Sequence, residues 1–213
     1  LAGRVAAMER LERDHAGLAP AAAKLLEARS EFGPGAVLGP LSDFVSAQRG
    51  SAASVERFLG MSLHAVLVRD RKCVEAIRSW HRRTKPGPLL LLPLDSAPEH
   101  VDGEKGDLLE AVEIAPEATG WVRALLARVQ TLDDQSFVDA RGAVWLPGID
   151  AGPGPLQRRA ELAELRRALE QAARERGAAL VRADSARAAR ESAETRYNTA
   201  AAAFANSRSR SPD

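Results

Sequence analysis

Cysteine is all but missing from this chain. Cys73 is the single example in 213 residues, which excludes an internal disulfide and any zinc site built on several thiolates, and fits a reducing cytoplasm. Excess charge is missing too. The formal net charge is +1, so no global field drives the chain onto nucleic acid or membrane, and such binding must come from local patches. The longest apolar run, "PLLLLPL" at 88–94, is far too short to span a bilayer. No G-x-x-x-x-G-K-[ST] loop is present to cradle a nucleotide. His15, His64, His81 and His100 are scattered without ligand spacing, so no metal or other cofactor is expected. The chain begins "LAGRVAAMER", with neither initiator Met nor signal-peptide pattern, and reads as part of something longer. Aromatic residues are scarce at 4%, and Ala, Glu, Arg and Leu are abundant, the composition of long helices and coiled coils.

Two such rods bracket the chain. Over residues 1–32, Leu1, Met8 and Ala22 fall on one heptad row and Leu11, Leu18, Leu25 and Phe32 on the other, with a kink or fresh start expected at Pro20. Over 155–205, Leu162, Leu165, Leu169, Ala172, Ala179, Ala183 and Ala186 keep the same spacing, a rod of roughly 75 Å at the helical rise per residue. A chain that enters along one rod and leaves along another pairs them antiparallel. The polar tail at 206–213 reads as disordered.

The middle reads as mixed α/β. "FGPGAVLGPLSDFV" (32–45) is a Gly- and Pro-punctuated break. A helix over 51–60, capped by Gly60, precedes a buried strand at 63–70; a second helix at 71–85 precedes another at 87–94. The acidic stretch 95–117 reads as loop. The run from Ser54 then recurs from Gly120, with Val55 matching Val122, Leu59 matching Leu126, and Ala127 in the place of Gly60, so two related subdomains are expected, about 33–100 and 101–154. Strands at 136–138 and 143–147 lead into a cluster of glycines, Gly142, Gly148, Gly152 and Gly154. Each is either a turn residue or a point where a partner backbone comes close.

An α/β unit between two coiled-coil arms resembles the hinge domain of SMC (structural maintenance of chromosomes) proteins. "GAVLGPLSDFV" resembles the family's opening segment, through Gly35, Gly39, Leu41 and Asp43. "SVERFLGMSLHAVLV" resembles its A-x-E-x-x-L-G helix and following strand, through Glu56, Leu59 and Gly60. "PLLLLPLD" resembles a strand ending in Leu-Pro-Leu, and "DARGAVWLPGIDAGPG" the spaced glycines before the descending coil. The chain departs from the family at Gly152-Pro153-Gly154, where an adjacent glycine pair is common, and at Ala127. The resemblance implies a two-subdomain hinge at 33–154 between an ascending arm (1–32) and a descending arm (155–205). It implies a two-fold dimer in which Gly142, Gly148, Gly152 and Gly154 lie where one chain approaches its partner. It also places the ATPase heads, and with them any kleisin-type subunit, at the far ends of the coils. The fragment itself is then no enzyme and is expected in the cytoplasm at the nucleoid, and its alanine and arginine bias favours a bacterial homodimer.

One activity is readable from residues alone. Between 69 and 85, Arg69, Arg71, Lys72, Arg78, Arg82, Arg83 and Lys85 face only Asp70 and Glu75. Arg158 and Arg159, with Arg166 and Arg167, add a second basic cluster at the coil junction. Such patches neutralise phosphates without reading sequence, so weak non-specific DNA binding is expected; a solvated helix face is the competing reading. Asp133-Asp134 reads as a solvated turn, and Cys73 as a quiet, half-buried thiol.

Overall fold

Pro20 divides the first predicted rod in two. The computed structural model describes residues 1–98, 106–132, 136–139, 141–146 and 154–208. Helix α1 (Ala2–Arg13) ends in a turn where His15 and Gly17 take left-handed φ angles of 46° and 87°. Helix α2 (Pro20–Glu27) then starts afresh, with proline at its first position, where the missing N–H is no loss. The row Leu11, Leu18, Leu25, Phe32 is therefore not one continuous seam. Leu25 is fully buried in the globular unit, and Phe32 meets Trp80 edge to face, with ring centroids 6.2 Å apart.

The Gly- and Pro-rich segment that reads as a break instead supplies two strands, β1 (Val37–Pro40) and β2 (Val45–Ala47). Helix α3 (Arg49–Leu59) stops at Gly60, whose φ of 48° few other residues adopt. A tight 3-10 turn over Gly60–His64 shortens the expected strand to β3 (Val66–Val68). Helix α4 (Arg71–Thr84) crosses over to β4 (Leu91–Pro93), which lies parallel to β3. The Cys73 N–H donates to Asp70 Oδ1 at 2.8 Å, a side-chain cap that starts α4, and Ile77 and Trp80 bury its inner face. The sheet has the order β1-β3-β4.

Half of the acidic stretch also folds. Helix α5 (Asp107–Glu110) precedes β5 (Val112–Ile114), which pairs antiparallel with β2. Leu108 anchors this segment in the core, which explains why its acidic composition misleads. Helix α6 (Thr119–Leu126) leads to an antiparallel sheet of β6 (Gln130–Thr131), β7 (Phe137–Val138) and β8 (Val144–Trp145). The chain ends in α7 (Pro155–Arg208), which runs three residues into the segment that reads as disordered tail.

The core has two clusters divided by β3, because strand side chains alternate. Val66 and Val68 join α2 and α4 on one side, while Leu67 joins the other cluster. That second cluster draws on both expected subdomains, from Leu41, Val55 and Leu92 to Val122 and Phe137, and on Leu156 at the start of α7. Residues Ala2–Leu165 make one compact unit. The remainder of α7, from Arg166, forms a second unit with Leu1, and its residues 170–203 are exposed along the whole helix.

Candidate coil junction and dimerisation edge

Every α-helix begins with N–H groups that lack a helical partner. In α7 they are met by a side chain from α3. The Glu56 carboxylate accepts from the N–H of Gly154 (3.2 Å), Leu156 and Gln157 (3.1 Å), and from the Gln157 side-chain amide (2.6 Å). Four donors saturate a carboxylate, which accounts for a buried acid on an otherwise apolar face between Val55 and Leu59. A Cβ on Gly154 would stand 2.6 Å from Glu56 Oε1, so a side chain here would displace the carboxylate that closes the start of α7.

A second tie holds α1 to the same helix. Arg159 Nε donates to Glu12 at 2.7 Å, and its other nitrogens reach Asp43 and the Ser42 carbonyl. Burial disfavours the Arg159 charge, but the hydrogen bonds and attraction of Glu12 and Asp43 outweigh it, and its pKa is raised. Arg158 donates to the Ala16 carbonyl at 2.5 Å, and Arg4 pairs with Glu161. Partners thus descend from Ala16 to Arg4 as α7 ascends from Arg158 to Glu161, the antiparallel arrangement of the two arms over the short length of α1. The Arg159 side chain is only 26% exposed, and its charge is met inside the junction by Glu12 and Asp43, while Arg158 reaches the Ala16 carbonyl. Beside them His15 Nδ1 lies 4.0 Å from Asp43, and burial pushes the His64 imidazole below its ordinary pKa.

The β7–β8 hairpin presents a different surface. Its turn is built on Asp139, whose carboxylate accepts from the N–H groups of Arg141 (2.9 Å) and Ala143 (3.0 Å). The Arg141 side chain, followed by those backbone bonds, holds the Asp139 pKa down to about 2. Gly142 takes a φ of 80° with open space where a Cβ would lie, so it is a turn glycine. Gly148 and Gly152 lie outside the described residues, as do Asp133, Asp134 and His100. Beyond the turn, β8 pairs only with β7 among the described residues, and its other edge has no described partner. Val144, Trp145 and Leu146 are 57%, 47% and 76% exposed there. An open apolar edge is a template for another chain. Among the described residues, β4 also lacks a partner on its outer edge in the sheet β1-β3-β4, and exposed Leu90 precedes it.

Helix α4 carries the basic patch. Arg78 pairs with Glu75 at 2.9 Å and Arg69 with Asp70 at 3.0 Å, while Arg71 Nε donates to Ser96. The Cys73 N–H and then Arg69 hold Asp70 near a pKa of about 2. Burial pushes the Cys73 thiol up, consistent with an unreactive sulfur. Arg82, Arg83, Lys72 and Lys85 are exposed, with no ion pair among the described residues.

Sequence reasoning missed Glu56 as the holder of the coil, although a Glu inside an apolar stripe is a signal in itself. It also missed two tightly enclosed glycines, Gly106 and Gly120. A Cβ on Gly106 would lie 2.6 Å from the Val129 nitrogen, and one on Gly120 would lie 2.8 Å from Ala97 Cβ.

Residues 34–136 match the family model of the SMC proteins flexible hinge domain. Among solved structures the chain is similar to the SMC hinge domain of Geobacillus stearothermophilus, described as an asymmetric dimer (19% identity, TM-score 0.62, 79% of this chain and 80% of that one). It is also similar to the Pyrococcus furiosus Smc hinge domain with an extended coiled coil (21% identity, TM-score 0.53, 82% and 73%). A third likeness is to the folded elbow of cohesin (14% identity, TM-score 0.54, 80% of this chain and 28% of that one). No curated protein sequence matches. The match to the SMC hinge domain thus covers residues 34–136, just under half of the chain.

Proposed function

We propose that this chain is the dimerisation hinge of an SMC-type ATPase acting in chromosome condensation and segregation, where it joins two coiled-coil chains into a V or ring that encloses DNA. The observation that carries this reading is the β8 edge, unpaired among the described residues, on which Val144, Trp145 and Leu146 stand exposed. Pairing two such edges with two open β4 edges closes a two-fold ring, satisfies the unpaired backbone groups and buries the apolar row. The stretch from Gly142 to Gly154, Gly148 and Gly152 included, forms the rest of the interface. Gly154 serves it indirectly, by shaping the approach to α7. No described helix is long and apolar enough to cross a membrane. Light scattering tests the reading. The chain is expected to be a dimer, and Trp145→Glu with Leu146→Glu a folded monomer; a monomeric parent overturns it.

The exposed cations of α4 favour a second, compatible activity, weak non-specific DNA binding by Arg69, Arg71, Lys72, Arg78, Arg82, Arg83 and Lys85. Binding should weaken steeply with salt. Charge reversal at Arg82 and Arg83 should abolish a low-salt mobility shift, and an unchanged shift removes this activity.

A further inference from the structure

One short helix touches both surfaces that a hinge has to connect. Glu56 of α3 holds the start of α7. Two residues on, Phe58 packs edge to face on Phe137 of β7 (centroids 5.5 Å apart) and on Trp145 of β8 (5.8 Å). At the other end of α3, Arg49 pairs with Glu164 of α7 at 2.6 Å. Ala52, Val55 and Leu59 lock α3 into the core, so it moves as a body or not at all. The cap has no slack, since each oxygen of Glu56 already accepts two bonds.

We propose that Glu56 is a positioning residue that couples the β8 edge to the seating of the descending coil. A shift of Trp145, as when a second copy docks or leaves, passes through Phe58 and α3 and tightens or loosens the cap on Leu156 and Gln157. The role assigned to docking rests on the dimerisation reading above, but the relay lies within one chain and is measurable in monomer or dimer.

Hydrogen exchange on the whole chain tests it, alongside light scattering of the same samples. Trp145→Ala, a change at an exposed site, is expected to speed exchange of the Leu156 and Gln157 amides about tenfold while leaving Val66 and Leu67 unchanged. Coupling is reciprocal. Glu56→Gln should therefore shift the fluorine resonance of 5-fluorotryptophan at position 145 and leave that at Trp80 in place. Should Glu56→Gln fail to fold, Gln157→Ala removes a single donor and serves the same arm. Arg159→Gln loosens only the other tie and should leave the Trp145 resonance alone. The proposal is overturned if Trp145→Ala leaves the cap amides within about twofold of the parent, or if Arg159→Gln moves the Trp145 resonance as far as the Glu56 change does. A monomeric parent would sink the dimer reading, and the exchange data would still decide the relay.

Discussion

Val55 and Val122 occupy the same place in two helices, α3 and α6, that each pass through a left-handed residue into a strand. Both are fully buried, as are Leu59 and Leu126 one turn later. The neighbours differ. Where α3 has buried Glu56, α6 has exposed Arg123; where α3 has Phe58 against Trp145, α6 has Leu125. The junctions differ as well. The first places its positive φ on Gly60 and continues through a 3-10 turn to His64, whereas the second keeps Ala127 at a φ of −59° and puts the left-handed angle on Arg128. Shared positions carry the core, and changed positions carry the coil and the edge. The α6 segment thus contributes Val122 and Leu126 to the core, while α3 also holds the start of α7 and meets Trp145.

The largest effects should be equal at the two matched leucines. Leu59→Ala and Leu126→Ala each remove a buried side chain from one common core, and urea unfolding should lose about 3 kcal/mol for either. A marked inequality would break the equivalence of the copies. Next comes the position where they diverge. Glu56→Gln should cost about 2 kcal/mol by stripping charge-assisted bonds from the start of α7, while Arg123→Gln should leave the melting temperature essentially where it was. Smaller effects lie at the junctions. Gly60→Ala should lose about 1 kcal/mol to backbone strain, and Arg128→Gly should gain up to about 1 kcal/mol by relieving it, both read from chemical denaturation. The smallest concerns His64, which has no counterpart in the shorter second junction. Its folded pKa lies below the ordinary 6.5 because burial disfavours the charged ring. Its contribution to stability is therefore complete above about pH 6.5 and declines as the pH falls from there through the lowered value. A pH series with His64→Gln should flatten that decline; an unaltered curve would place it on other groups.

Much of this was legible. The helix over α3 with its glycine stop, the basic amphipathic α4 and the strands at β3, β4, β7 and β8 all follow from local periodicity and turn chemistry, and the structure has them. The split of the first rod was half legible, since Pro20 is visible but the burial of Leu25 in the sheet's core is not. β1 and β5 were hidden for opposite reasons. One sits in a Gly- and Pro-rich run and the other in an acidic one, and each becomes a strand only because a distant strand pairs with it. The glycine cluster was seen as a group, yet its members have separate causes. Gly142 turns a hairpin, whereas Gly154 yields space to a carboxylate.

By itself the sequence determined a mixed α/β middle between helical arms, because hydrophobic period, capping residues and glycine stops act over a few residues and leave a readable pattern. Only the tertiary structure decided that Glu56 closes the start of α7, that Arg159 is spent on Glu12 and Asp43, and that Trp145 stands on an open edge against Phe58. Glu56 and Gly154 are 98 residues apart. A contact at that separation is made when the chain closes on itself, and it leaves no period in the sequence by which to find it.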